Sequence, residues 1–120
     1  MIFDTNVLIY LSKYQIPVEK LSIDVAGISI ISKIEILGYQ FKNIEEHDLL
    51  TEICNIIEVV PLSDEIADAT IKLRQKHRIK TPDAIIYATA LVKNVPLLTN
   101  NIKDFISLDE NVKLINPFDL

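Results

Sequence analysis

The sequence predicts an α/β fold, a three-layer α/β/α domain around a mainly parallel sheet of about five strands. Short apolar segments typical of buried strands alternate with longer segments of helical periodicity, and this alternation indicates a parallel sheet covered by helices. The chain has 120 residues, 49% of them hydrophobic, with two glycines and five prolines. A chain of that length and composition can bury a core, so we expect a single domain over residues 1–120.

The first third of the chain is predicted to hold two strands and three helices. Residues 1–3 form a short apolar strand, and the largely apolar residues 5–14 are long enough for a buried helix. Pro17 can open a short helix that runs to about residue 24, because proline is favoured in a first helical turn. Residues 27–30 predict the second strand, and residues 32–38 predict a helix that stops at Gly38.

The rest of the chain continues the alternation. Residues 45–57 predict a helix whose apolar face includes Cys54, which is therefore expected in the core. Residues 58–62 predict the third strand, and Ser63 then caps a helix. Thr81 and Pro82 open another helix, with the proline at its first position. Residues 95–99 and 112–115 predict the fourth and fifth strands, with a short helix over 102–107 between them.

The composition excludes several classes of protein. No apolar run approaches the roughly 20 residues of a membrane span, and the apolar start is too short for a signal peptide. Cys54 is the only cysteine, which excludes an internal disulfide and fits a reducing cytoplasm. The net charge of -5 argues against general affinity for nucleic acid but leaves room for a local site. We therefore expect a cytoplasmic protein with no membrane association.

Four acidic residues stand where a hydrophobic segment gives way to the next element. They are Asp4, Glu35, Asp83 and Asp104. Three of them follow predicted strands, and Asp83 begins a helix that faces the same edge. Ligands of open parallel sheets bind at the carboxyl ends of the strands, so these side chains are expected to converge. Converging carboxylates repel one another unless a divalent cation lies between them, and the pattern therefore predicts a metal-dependent enzyme.

Each acid also has a purely structural interpretation. Asp4 could be the N-cap of the first helix, and Ser32 with Glu35 matches a capping box. Asp83 would interact favourably with the dipole of its own helix, and Asp104 could form a local cap with the asparagine three residues before it. Against the capping interpretation, Glu35 lies in an apolar stretch where a carboxylate needs a partner.

The joint pattern resembles the PIN-domain nucleases, and within them the VapC-type toxins of bacterial and archaeal toxin–antitoxin modules. The opening Asp4-Thr5-Asn6-Val7-Leu8-Ile9 is similar to the first motif of that family, and Ser32-x-x-Glu35 followed by Gly38 is similar to the second. Pro82-Asp83-Ala84-x-x-x-Ala88 is similar to the third motif, and Leu98-Thr99-Asn100-Asn101-x-x-Asp104-Phe105 to the fourth. The motifs occur in the order of the family and cover essentially the whole chain. Only three residues precede Asp4, so the first strand is shorter than is usual in that family.

The resemblance implies a site, a reaction and partners. The acids that hold one or two Mg²⁺ or Mn²⁺ ions would be Asp4, Glu35, Asp83 and Asp104. The polar residues that orient them, or orient a water molecule, would be Thr5, Asn6, Thr99 and Asn101. The implied reaction is endonucleolytic cleavage of RNA by an activated water. The implied partners are the RNA substrate, a VapB-type antitoxin whose C-terminal segment blocks the acidic site, and a second copy of the chain in a homodimer.

A basic run lies directly before the third motif. Five of the twelve basic residues fall within nine positions, namely Lys72, Arg74, Lys76, Arg78 and Lys80. They are either the solvated face of a helix or contacts for RNA phosphates, which would act through charge and not through base identity.

Aromatic and apolar side chains provide two further candidate surfaces. The tyrosines that could stack on RNA bases are Tyr14, Tyr39 and Tyr87, although core packing is expected for most of them. The early apolar residues that could form a dimer or antitoxin interface are Ile9, Tyr10, Ile16 and Val18.

Two other functions are compatible with acids at strand ends. A phosphotransfer domain uses such acids with Mg²⁺, but a phosphatase of the haloacid-dehalogenase type needs a second aspartate where Asn6 stands. A receiver domain needs an aspartate pair after strand one and a lysine after the last strand, and neither is evident. A PIN-like domain that only binds RNA or protein is the second alternative, although such domains typically lose acids that are all present here.

Overall fold

A computed structural model describes residues 1–40, 43–108 and 111–120. The strands in the described part are β1 (Ile2–Phe3), β2 (Gly27–Ser29), β3 (Glu58–Val60), β4 (Leu97–Leu98) and β5 (Leu114–Ile115). The helices are α1 (Thr5–Ser12), α2 (Ile30–Leu37), α3 (Ile44–Ile56), α4 (Asp64–Lys76), α5 (Thr81–Lys93) and α6 (Ile102–Ile106). Short 3₁₀ turns cover Val18–Lys20, Ile23–Val25 and Pro117–Asp119.

The strands form one parallel sheet in the order β3-β2-β1-β4-β5. β1 lies at the centre, where Ile2 is in register with Gly27 of β2 and with Leu97 of β4. A strand of two residues is thus long enough to pair on both sides. The strand order reverses direction between β1 and β4, which is the position where open α/β sheets bind their ligands. The predicted parallel sheet of five strands is confirmed.

Helices cover both faces of the sheet, and each face has its own apolar core. Alternate residues of a strand point to opposite faces. Phe3 accordingly packs in a cluster with residues of α1, α2 and α3, such as Leu8 and Leu50. Ile2 packs on the opposite side with residues of α4, α5 and α6, such as Tyr87. The three-layer α/β/α architecture predicted from the sequence is therefore confirmed, and Cys54 lies in the core as expected.

The segment after α1 differs from the prediction of a helix from Pro17 to about residue 24. It forms two 3₁₀ turns, closed by hydrogen bonds such as the one from the Lys20 N–H to the Pro17 carbonyl at 3.1 Å. Between them Leu21 takes an extended conformation and is buried, with 3% exposure. Burial of this one leucine in the core interrupts the helix, so tertiary packing overrides the local pattern.

The start of α2 also differs from the prediction. The predicted strand over 27–30 ends at Ser29, and the helix begins at Ile30, two residues before the predicted Ser32. Ser29 is the N-cap, because its hydroxyl accepts a hydrogen bond of 3.2 Å from the Ile31 N–H. Ser32 is therefore a buried residue inside the helix, and the predicted capping box with Glu35 is wrong.

Smaller differences concern element ends and burial. Pro82 is the second residue of α5 and not the first, since the helix starts at Thr81. Tyr87 is buried as expected, whereas Tyr14 and Tyr39 are 83% and 69% exposed, contrary to the expectation that most of the tyrosines pack in the core. Ile16, expected at an interface, is buried in the core. Within the described ranges, no helix is both long and apolar enough to cross a membrane.

Candidate active site

The carboxyl edge of the sheet collects the predicted acidic motifs. Asp4 follows β1 directly, and Thr99 directly follows the neighbouring strand β4. Asp83 lies in the first turn of α5 and Asp104 in the first turn of α6. Glu35 lies further from its strand than predicted, on the second half of α2. These elements deliver side chains from four distant parts of the sequence to one region.

Asp4 is a buried carboxylate at the reversal point of the sheet, with 5% exposure. It occupies the N-cap position of α1, but its side chain makes no capping hydrogen bond. One carboxylate oxygen, Oδ2, accepts a bond of 2.8 Å from the hydroxyl of Thr99. Burial raises the pKa of Asp4, the charge of Glu35 raises it further, and hydrogen bonds from Thr99 and the Thr5 backbone oppose the rise. The fold thus holds Asp4 where its charge is unfavourable.

Asp83 is the second acid whose charged form is disfavoured. Loss of solvent raises the pKa of Asp83, and the charges of Asp4 and Asp104 raise it further. The neighbouring Lys80 acts in the opposite direction and lowers the pKa. Asp83 therefore feels negative charge from two other motifs as well as the positive charge of the basic run.

These effects of charge on pKa distinguish two inner acids from two outer ones. The charge of Glu35 raises the pKa of Asp4, and the charges of Asp4 and Asp104 raise the pKa of Asp83. Asp4 and Asp83 are thus the inner acids, and Glu35 and Asp104, both exposed, are the outer ones. Among the described residues, no three His, Cys, Asp or Glu side chains are already gathered as a set of metal ligands. The acids share one electrostatic neighbourhood without closing onto a common point.

Thr5 connects Asp4's helix to Glu35. Its Oγ1 lies 2.9 Å from Oγ of Ser32 and 3.0 Å from Oε1 of Glu35. Thr5 has one hydroxyl proton and the carboxylate can only accept, so Ser32 donates to Thr5 and Thr5 donates to Glu35. This short chain of hydroxyl groups orients the Glu35 carboxylate. Ser32 is 0% exposed, which makes it the buried end of the chain.

The loop after β4 holds the side chains of Asp4 and Asp104 through hydrogen bonds. The backbone N–H of Asn101 donates to Oγ1 of Thr99 at 2.9 Å, so the hydroxyl that holds Asp4 is itself held. The Asn101 side-chain amide donates to Oδ2 of Asp104 at 2.7 Å. Of the predicted supporting residues, Thr5, Thr99 and Asn101 each contact one acid. Asn6 is exposed in the first turn of α1 and makes no hydrogen bond to the four acids among the described residues.

Sequence reasoning missed two groups of residues around these acids. A serine within an apolar segment, such as Ser32, is the pattern of a buried hydrogen-bonding residue as well as of a helix cap. Lys103 lies outside the basic run of residues 72–80, and its position beside Asp104 is the only signal in the sequence for it. In the structure Lys103 lies in the same cleft as Arg78, Lys80 and Ser107.

The basic run itself is divided between two surfaces. Arg78 and Lys80 line the cleft that also contains Asp83, Asp104 and Lys103. Lys72 and Lys76 line a separate groove against α5, which contains the acidic residues Glu65 and Asp68 as well. Arg74 donates from its Nε to the Ile79 carbonyl at 3.3 Å and supports the loop before α5. Two of the five residues of the run are therefore beside the acids and the other three are not.

A second groove reaches the acids from the opposite side. It runs along α1, α2 and the start of α3, and its lining residues are Thr5, Ile9, Lys13, Glu35, Ile36, Tyr39 and Glu46. Most of the exposed area in this groove is apolar, in contrast to the charged cleft at Asp104. The two approaches to the acids thus differ in chemistry.

Comparison with known protein families gives one match that spans most of the chain. The model of the PIN domain matches residues 1–111, a range that contains all four acidic motifs. The chain belongs to the PIN-domain family. This match and the parallel sheet confirm the resemblance predicted from the sequence. Comparison with curated proteins gives no match.

Solved structures similar to this PIN domain include chains of a toxin–antitoxin complex and of VapBC complexes. A chain of a toxin–antitoxin complex from Klebsiella pneumoniae is 30% identical, with a TM-score of 0.75 and coverage of 97% of this chain and 96% of that one. A chain of VapBC2 from Rickettsia felis, bound to a promoter DNA fragment, is 23% identical, with a TM-score of 0.80 and coverage of 97% and 98%. A chain of DNA-bound VapBC from Salmonella typhimurium is 19% identical, with a TM-score of 0.79 and coverage of 97% and 96%. The last two support the fold alone.

Proposed function

We propose that this PIN domain is a metal-dependent endoribonuclease, the toxin of a type II toxin–antitoxin system that acts in the cytoplasm. The observation that supports the proposal best is the placement of Asp4, Asp83, Asp104 and Glu35 at one edge of the sheet, where hydrogen bonds from Thr99, Asn101 and Thr5 hold three of these carboxylates. A fold that gathers four carboxylates, two of them with raised pKa values, stores repulsion that a bound cation would relieve. Perturbed acids at the ligand-binding edge of a sheet are typical of functional sites.

The donor set fits Mg²⁺ or Mn²⁺. The residues that would hold one or two such ions are Asp4, Glu35, Asp83 and Asp104, all of which offer carboxylate oxygens. Hard divalent cations prefer oxygen ligands, and no thiolate or imidazole is present in this set to favour a softer metal. The chemistry that such a cation supplies is activation of a water molecule and neutralisation of the charge on a phosphate. Hydrolysis by water would leave a 5′-phosphate and a 3′-hydroxyl.

The chain's own contribution is to fix the orientation of the acids before substrate arrives. Thr99 holds Asp4, the Ser32–Thr5 pair holds Glu35, and Asn101 holds Asp104. The buried position of Asp4 excludes water from one side of that carboxylate, which strengthens its interaction with any positive charge placed beside it. Each of these effects is set by the fold and requires no movement during the reaction.

Purified variants test the catalytic assignment. We expect Asp4→Asn and Asp83→Asn to lose RNA cleavage in the presence of Mg²⁺, and we expect the wild-type chain to lose it when the metal is chelated. Asp64→Asn is the matched control, because Asp64 occupies the first turn of α4 just as Asp83 occupies the first turn of α5, but lies outside the acidic motifs. Cleavage by both site variants at the wild-type rate would leave a non-catalytic binding domain as the better interpretation. Mapping of RNA ends after induced expression would identify the target.

The groove beside Glu35 supports an antitoxin as partner. Ile9, Ile36 and Tyr39 provide an apolar path for a peptide segment, and Glu35 and Glu46 favour a basic side chain on that segment. A VapB-type antitoxin bound there would cover the site from the side opposite the basic cleft. We expect Ile9→Glu to weaken co-purification with a co-expressed VapB-type antitoxin, and an Ile71→Glu control, exposed on α4, to leave it unchanged.

Exposed apolar residues at the C-terminal turn support a homodimer. Phe118 packs its ring on Tyr10 at 5.0 Å between centroids but remains 48% exposed, and Val18 and Leu120 are each 47% exposed. The Leu120 carbonyl accepts a bond of 3.2 Å from Lys20, which brings the turn that contains Val18 close to the C-terminal residues. Analytical ultracentrifugation should give twice the monomer mass for the wild-type chain and a monomer for Phe118→Asp.

A further inference from the structure

The cleft beside Asp104 is lined by more positive than negative side chains, because part of the basic run lies in it. Its lining combines Arg78, Lys80 and Lys103 with Asp83 and Asp104. Three positive and two negative side chains give a formal charge of +1 (3 − 2) in a chain whose net charge is -5. The groove on the other side of the acids has one lysine and two glutamates among its described lining residues, a formal charge of −1 (1 − 2). The formal charge of the described lining residues therefore differs in sign between the cleft and the groove.

We propose that Arg78, Lys80 and Lys103 form a phosphate-binding subsite that holds the RNA backbone on the Asp104 side of the scissile bond only. This inference rests on the proposed ribonuclease function and adds the direction from which the substrate is held. Lys72 and Lys76, in the same basic run, have no part in it.

The position of the three cations suits a polyanion that must approach four carboxylates. Lys80 is near enough to lower the pKa of Asp83, so its charge reaches the acids directly. Arg78 and Lys103 are exposed, and Ser107 adds a hydroxyl donor to the same cleft. Guanidinium and ammonium groups bind phosphate oxygens without reading bases, and Arg78 can do so through two parallel N–H groups. The three cations therefore offset the repulsion between the acids and the phosphate next to the cleaved bond.

The chemistry of the opposite groove explains why the subsite is one-sided. Its exposed surface is largely apolar, and Tyr39 is 69% exposed. A phosphate placed there would meet Glu35 and Glu46, and Lys13 is the single lysine or arginine among the lining residues in the described part of the chain. Backbone phosphates on that side of the scissile bond are therefore held weakly.

Salt-dependent RNA binding tests the subsite directly. The parent for this experiment is Glu35→Gln, because Glu35 lies on the opposite side and its loss should stop cleavage without changing the basic cleft. Binding of a short single-stranded RNA is measured by fluorescence anisotropy over a series of salt concentrations. Neutralising one phosphate contact in single-stranded RNA changes the slope of log affinity against log salt by about 0.7. We expect Lys103→Ala and Arg78→Ala each to reduce the slope by about that amount, and Lys103→Arg to restore it.

Two exposed lysines provide matched controls. Lys72 belongs to the same basic run but lines the groove against α5, and Lys113 lies before β5, at the opposite edge of the sheet from the acids. We expect Lys72→Ala and Lys113→Ala to leave the slope unchanged. A loss from Lys72→Ala equal to that from Lys103→Ala, or an unchanged slope for both Lys103→Ala and Arg78→Ala, would overturn the subsite.

Failure of the phosphate-binding subsite can be distinguished from failure of the proposed ribonuclease function. Cleavage by the Glu35→Gln parent would count against the acid assignment, whereas binding slopes report only on the phosphate contacts. In the active chain, Lys103→Ala should raise KM for RNA with little change in kcat, because Lys103 would bind the backbone equally in substrate and transition state. A fall in kcat at unchanged KM would show that Lys103 acts on the reacting atoms and not as a remote phosphate contact.

Discussion

Thr99 donates a hydrogen bond of 2.8 Å to Asp4, and the two residues directly follow neighbouring parallel strands. The bond spans 95 positions in the sequence and crosses the point where the strand order reverses. It joins the first acidic motif to the fourth, and it is the main hydrogen bond that favours the charged form of a buried carboxylate. Loss of this one hydroxyl should therefore affect the chemistry of the site more than its shape.

Thr99→Val tests that bond. Valine keeps the shape of threonine but removes the donor, so the pKa of Asp4 should rise further above its usual value. A hydrogen bond to a charged group contributes about 1.5–3 kcal/mol, so its loss disfavours the charged form of Asp4. We expect the acidic limb of the pH–rate profile for RNA cleavage to move to higher pH, and Thr99→Ser to return it. A serine variant that behaved like valine would show that the hydroxyl group is not responsible.

The corrected start of α2 gives a second test, because Ser29 caps the helix and Ser32 lies inside it. Ser29→Ala removes the N-cap and should lower the free energy of unfolding by about 1 kcal/mol without changing kcat. Ser32→Ala removes the donor to Thr5 and should reduce RNA cleavage several-fold, because Glu35 loses its fixed orientation. Chemical denaturation and steady-state kinetics on both variants separate the two effects. A stability loss confined to Ser32→Ala would contradict the assignment of Ser29 as the cap.

The raised pKa of Asp83 predicts a gain of stability when its charge is removed. Since the folded chain binds the Asp83 proton more tightly than the unfolded chain, stability falls as pH rises from the usual 3.8 through the folded pKa. Asparagine has no proton to lose, so Asp83→Asn should be more stable than the wild-type chain above that window and not below it. Thermal unfolding without divalent metal, from pH 3 to pH 8, measures the difference. Equal melting temperatures at neutral pH would argue that the acids do not strain the fold.

Divalent metal should reverse the order of stability of the wild-type chain and Asp83→Asn. A ligand that binds only the folded chain raises its stability, by about 2.7 kcal/mol at a concentration of 100 times the dissociation constant. We expect Mg²⁺ or Mn²⁺ to raise the melting temperature of the wild-type chain and of Asp64→Asn, but much less that of Asp4→Asn or Asp83→Asn. An equal shift in all four chains would indicate metal bound elsewhere.

The sequence was most informative about the acidic residues that follow strands of the parallel sheet. Acidic residues after β1 and after β4 lie at the same sheet edge, because parallel strands share a direction, and the orientation of α5 predicts the same edge for Asp83. This shared edge could be predicted without knowing any distance, although the side chains do not close onto a common point. The alternation of apolar segments likewise specified the sheet, although Pro61 ends β3 and Pro96 precedes β4, so the real strands are shorter than the apolar runs.

Features that depend on packing between distant elements could not be predicted. A serine after an apolar strand caps a helix in many proteins, and only the position of α1 shows that Ser32 donates to Thr5. Leu21 breaks a helix because a core formed by other elements can bury it. The basic run looked continuous, and its division follows from the end of α4 at Lys76, after which Arg78 and Lys80 turn toward the acids.

The separation of 95 positions between Asp4 and Thr99 has a consequence for the chain during its synthesis. A ribosome adds about 5 to 20 residues per second, so Thr99 is made roughly 5 to 20 seconds after Asp4. β1 gains its second neighbour, and Asp4 its hydroxyl partner, only when the last quarter of the chain has emerged. The proposed site is therefore complete only after β4 and Thr99 have been made, late in the synthesis of the chain.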